Sequence, residues 1–221
     1  MEREAFLQRI RTATQNPDLP VGPPEAPGGL VPDLSGTDLV ERFRTRIEAV
    51  DGIAHRLTDD GEAIHIITGL LEEYEATDYL AWDADHLPIP GLLERLPGGQ
   101  RSSQVGAEPA ERLNHQAGYM DSQVGITGAI AGLAESGSIV LDCGPGRPRM
   151  ASLIPLAHIA LLRSTDISPS LSHWVAENPT AAADASNLFV ITGPSRTADI
   201  EQILNLGVHG PKHLHVILLP T

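Results

Sequence analysis

The sequence predicts an α/β fold of three layers around a mostly parallel sheet. Three observations carry this. Short apolar runs at 79–82, 123–126, 138–143, 158–162, 188–192 and 214–219 read as strands, and several lack in/out alternation, which places them under helices on both faces. Stretches patterned as helices lie between them. With 41% apolar and 20% charged residues, a chain of 221 can withdraw roughly 70% of its unfolded surface from water, enough for one sizeable core.

Taken in order, residues 2–15 suit a short helix. Residues 16–34 then carry six Pro and three Gly, which forbid one. Residues 1–35 are therefore expected to be an N-terminal helical arm with a mobile Pro/Gly-rich linker, and 36–221 the α/β domain. Leu39, Phe43, Ile47 and Val50 recur at helical spacing behind a Thr37 N-cap, with Gly52 past the end. A strand at 54–57 precedes a second amphipathic helix marked by Ile64, Ile67, Leu71 and Tyr74 and started by Asp59 or Asp60. Further helices are expected at 129–134, 169–176 and 197–205.

Charge and composition exclude several functions. The net charge of −14 repels a phosphate backbone or an anionic bilayer, so neither nucleic acid nor membrane is an expected partner. Lys212, the one lysine, is followed by His213, which rules out a Walker phosphate loop, and His209 stands where a Ser-x-x-Lys pair needs its serine. Cys143, alone, cannot hold an iron–sulfur cluster or close an internal disulfide. The charged opening and the absence of an apolar run near 18 residues predict a cytoplasmic protein.

The segment 189–201 is the most specific candidate site. It reads as a strand, a Gly193-Pro194 turn and a helix, so that free N–H groups and a helix dipole would face the crevice at a strand's carboxyl end, with Arg196 as a fork for a carboxylate. The same residues also suit a plain helix cap, with Ser195 or Thr197 as the capping hydroxyl. Arg147, Arg149 and Ser152 follow the strand ending at Cys143 and are placed to face the same crevice. Glu135, at an expected helix end, is the candidate acid or base, and His158 borders an apolar run. The glycines of 125–132 have the wrong spacing for a dinucleotide fingerprint. His209, His213 and His215 invite a metal reading, but no carboxylate accompanies them and no metal is expected.

The strings at 124–141 (VGITGAIAGLAESGSIVL), 150–159 (MASLIPLAHI), 192–201 (TGPSRTADIE) and 206–211 (LGVHGP) resemble the LUD-domain family, in particular its lactate-utilisation protein C branch. That resemblance implies a fold like the phosphosugar isomerase and CoA-transferase group. It also implies membership of a cytoplasmic system oxidising L-lactate to pyruvate, with iron–sulfur clusters on partner subunits and no cofactor in this chain. Two roles stay open. In one, a crevice formed by Thr127, Glu135, Arg149, His158, Ser195 and Arg196 binds a small carboxylate, with Glu135 and His158 catalytic; in the other, the chain is a non-catalytic assembly or scaffold protein. The family string around Arg196 tilts that segment toward the ligand reading.

Overall fold

The computed structural model describes residues 3–14, 36–101, 122–198, 204–206 and 209–220. The chain divides into two compact units, 1–30 and 31–221. The first contains helix α1 (Arg3–Thr14), where the sequence predicts it. The expected linker at 16–34 lies outside the described residues.

In the second unit, helix α2 (Leu39–Glu48) starts one residue later than the Thr37 cap would place it. The Asp38 carboxylate accepts from the Val40 and Glu41 N–H groups at 3.0 and 3.1 Å, meeting two orphan donors with a charge suited to the helix dipole. Helix α3 (Gly61–Glu73) starts behind Asp59, whose Oδ1 accepts from the Gly61 and Glu62 N–H groups, while Glu62 reaches back to the Thr58 N–H and hydroxyl. Asp60, the other expected starter, instead holds Arg163.

Strands β1 (Ile53–Arg56), β2 (Asp78–Ala81), β3 (Gly99–Arg101), β4 (Val124–Gly128), β7 (Ala157–Arg163) and β12 (His213–Leu219) form a wholly parallel sheet in the order β1-β12-β7-β4-β2-β3. The apolar runs of β4, β7 and β12 are buried almost throughout, as the missing alternation predicts. Register assigns the faces: His55 and His215 lie on one, with Tyr74 just after α3; Thr127 and His158 lie on the other.

A second sheet, in the order β8-β5-β6-β9, is built from β5 (Ala131–Leu133), β6 (Ser138–Cys143), β8 (Ile167–Ser168) and β9 (Asn187–Ile191). Here the structure corrects the sequence: 129–134 is no helix, because 131–133 pairs antiparallel with 138–140 across a turn closed by Gly137 at φ 72°. Ile139 and Leu141 face the main core with α2, α3 and the parallel sheet. Val140 points the other way, into a small cluster with Ala131, Leu133 and Trp174 of helix α5 (Leu171–Glu177), which follows the one-turn helix α4 (Leu92–Arg95) in chain order. Helix α6 (Ala181–Asp184) leads into β9. The expected helix at 197–205 is also overturned, since β10 (Arg196–Ala198) pairs antiparallel with β11 (Leu204–Leu206).

Candidate functional site

The parallel strands β2, β4 and β7 end together on a crevice of ≈ 390 Å³, within the range of small-molecule sites and at the end of the sheet where α/β proteins hold ligands. After β2 the chain enters a 3-10 turn (Ala84–His86) that supplies Asp85 and His86 to the rim. Gly128 at the end of β4 permits this: a Cβ there would lie 3.0 Å from the His86 carbonyl oxygen. From β7 comes Arg163, already committed. Its guanidinium donates to both Asp60 carboxylate oxygens at 2.8 Å and to the Pro88 carbonyl at 2.7 Å. With Asp85 and Asp166 also lining it, the crevice carries more free acid than base.

Thr127 and His158 meet on the sheet. The Thr127 hydroxyl and His158 Nε2 are 2.8 Å apart, at 0% and 1% exposure. Burial, with the nearby His215, pushes the His158 imidazole down to about 3, so it is neutral in any physiological medium. The turn Arg149–Ser152 seals this face: a Cβ on Gly125, the register partner of His158, would lie 1.7 Å from the Ala151 carbonyl oxygen. The pair is a buried polar contact inside the core.

The other four expected residues stand apart from it. Glu135 is exposed on the turn after a strand, not at a helix end, and its N–H donates to the Pro169 carbonyl at 3.0 Å. Arg149 is exposed at the start of the sealing turn, where its carbonyl accepts from the Ser152 hydroxyl. Ser195 is half-buried, with its N–H donating to the Pro211 carbonyl at 2.8 Å. Arg196 begins strand β10, so the expected helix N-terminus does not form beside it, and its guanidinium is ion-paired with Asp51. Cys143 is buried, and burial together with Asp142 pushes its thiol up, away from thiolate reactivity.

Sequence reasoning missed one cluster. His55 Nε2 lies 3.0 Å from His215 Nδ1 on the neighbouring strand, and His215 Nε2 lies 2.8 Å from the Tyr74 hydroxyl. Burial, aided by His55 and His213, pushes His215 down to about 4, and burial and Glu73 push the Tyr74 phenol up to about 12. The shared face of His213 and His215 was a usable signal, since β12 places them two residues apart as expected. Among the described residues, no group of three or more His, Cys, Asp or Glu is placed to hold a metal ion, and no helix is long and apolar enough to cross a membrane.

The LUD domain, as a sequence family, matches residues 40–219, which takes in both sheets. The chain belongs to the LUD-domain family. A lactate utilization protein C from Exiguobacterium is 37% identical over 235 aligned positions that cover 98% of this chain and 95% of the relative. Another, from Halalkalibacterium halodurans, is 38% identical over 149, covering 66% of this chain; the match spans 64% of that relative's length. The crystal structure of a DUF162 family protein from Deinococcus radiodurans superposes with a TM-score of 0.58 at 19% identity, covering 82% of this chain and 96% of that one, and supports the fold. The LUD domain here is thus an α/β unit whose parallel sheet ends on an acid-rimmed crevice.

Proposed function

We propose that this chain serves lactate utilisation as a cluster-free cytoplasmic subunit of an iron–sulfur-dependent system that oxidises L-lactate to pyruvate, and that it acts by assembly with the cluster-bearing subunits rather than by turning lactate over itself. The pathway is taken from the relatives named lactate utilization protein C. The assembly role rests on one observation: the cationic and polar groups suited to a small carboxylate are separated or already paired. Arg196 is held by Asp51, Arg163 by Asp60, and Thr127 with His158 is sealed in the core. A lactate carboxylate entering the crevice would meet Asp85 and Asp166 with no unpaired guanidinium among the lining residues.

The crevice itself favours a second reading, in which His86 at its rim holds a small carboxylate. Co-purification separates the two. Tagged chain drawn from lactate-grown cells is expected to bring down iron-containing partner subunits, and His86→Ala is expected to leave both capture and growth on lactate unchanged. A His86→Ala chain that captures its partners yet does not support growth would favour the crevice reading instead.

A further inference from the structure

We infer that a second pocket, between β8 and helix α5, is a binding site for a small organic cation that carries a guanidinium group. The pocket encloses ≈ 360 Å³ and adjoins the crevice, with which it shares Ile130 and Asp166. Two stretches of chain build it. The 3-10 turn Ser164–Asp166 and β8 supply Asp166 and Ser168, and α5 with the residue after it supplies Trp174, Glu177 and Asn178. Ser168 marks it as a site. Ile167 packs into the main core beside Gly132, so Ser168, next along the strand, projects to the opposite face, which carries Leu133 and Trp174. Ser168 is 7% exposed, and its hydroxyl has no hydrogen-bond partner among the described residues. A buried hydroxyl left unpaired is costly, and a donor entering the pocket removes that cost.

The groups left over select the ligand. The Thr165 hydroxyl donates to Asp166 Oδ1 at 3.1 Å, which leaves Oδ2; the Asn178 amide N–H donates to the Trp174 carbonyl at 2.9 Å, which leaves its Oδ1. His173 Nε2 stands 3.2 Å from Glu177 Oε1, which leaves Oε2. With Ser168 Oγ these are acceptors on two walls, and neither Lys nor Arg is among the lining residues. An anion would therefore meet acid on acid, whereas a planar guanidinium brings five donors and the opposite charge. Trp174 and Ile130 give its carbon stem an apolar wall. A metal ion fits less well, since no group of three or more His, Cys, Asp or Glu among the described residues is placed to hold one. The net charge of −14 favours the approach of a cation.

Nuclear magnetic resonance titration of the full, isotope-labelled chain at low ionic strength tests this, with propylguanidinium as one probe and a blocked tripeptide carrying a single arginine as the other. The expected result is a saturable shift of the Trp174 indole N–H and the Ser168 amide at millimolar probe or below. Tighter binding of propylguanidinium assigns the site to a free small molecule, and tighter binding of the peptide assigns it to an arginine on a protein. Asp166→Asn and Ser168→Ala are each expected to weaken binding about tenfold, whereas Glu72→Gln on α3, outside the pocket, leaves it unchanged. Ser168→Ala removes a hydroxyl without a partner, so its urea midpoint should match that of the unaltered chain, which separates a lost ligand contact from lost folding. No saturable shift with either probe would overturn the proposal. Equal binding by the Ser168→Ala and unaltered chains would also overturn it, by showing only a general attraction of cations to an acidic surface.

Discussion

The two sheets solve the problem of burying a strand in different ways. Every central strand of the parallel sheet is covered on both faces, and buried polar side chains there contact one another: Thr127 with His158, and His215 with His55 and Tyr74. The small sheet is shorter, mostly antiparallel and covered unevenly, with β9 half-exposed and, among the described residues, without a strand on its outer side. A closed sheet has little freedom to accept new partners, whereas an open one has groups to offer. The difference places the tightest burial in the first sheet and the more exposed strand in the second.

The largest effect that sharpens this contrast is steric. Gly125→Val would drive a side chain into the Ala151 backbone, with a Cβ contact of 1.7 Å, and is expected to cost about 4 kcal/mol or more, or to prevent folding. Gly132→Val in the small sheet meets the tips of flexible side chains, Leu162 Cδ2 at 2.6 Å and Ile167 Cγ1 at 3.2 Å, and should cost about 1–3 kcal/mol. Urea unfolding of both variants checks the order, and equal losses would erase the distinction.

The next effect is pH dependence. His158 in the folded chain titrates near 3, below the ordinary value of 6.5, so below pH 6.5 the unfolded chain takes up a proton that the folded one refuses. Stability is therefore full above about pH 6.5 and falls as pH drops toward 3; His215, at about 4, adds to the fall. His158→Gln is expected to lower stability at pH 7.5 yet flatten the decline between pH 6.5 and 4.5, measured by urea unfolding at both ends. An unchanged slope would show that His158 is solvated. The smallest effect belongs to the Arg196–Asp51 pair beside the small sheet's last strand, which is largely exposed on the Asp51 side. Arg196→Ala should cost no more than about 1 kcal/mol and leave growth on lactate intact.

How much of this was legible in the sequence follows the same division. The runs of β4, β6, β7 and β12 were readable because strands buried on both faces leave an unbroken apolar record. Residues 129–134 and 197–205 were not, because small or widely spaced apolar residues there fit a helical stripe equally well, and what decides for strand is a pairing partner elsewhere in the chain. The candidate site suffered most from this. Arg196 was read at a helix N-terminus that a β-hairpin replaces, and the His55, Tyr74 and His215 contacts span 141 and 160 residues, which only the sheet register brings together. Thr127 and His158, expected as crevice residues, lie buried in the core, and that burial could not be read without the turn that covers Gly125.

A chain that works in lactate utilisation by binding proteins, as proposed above, has no need to hold lactate itself. Calorimetric titration of the purified chain with L-lactate and with pyruvate tests this most directly. No saturable heat is expected with either acid up to millimolar concentration. Saturable binding to the isolated chain that His86→Ala abolishes, while the variant keeps its stability, would contradict it and make the crevice at the ends of β2, β4 and β7 the working site.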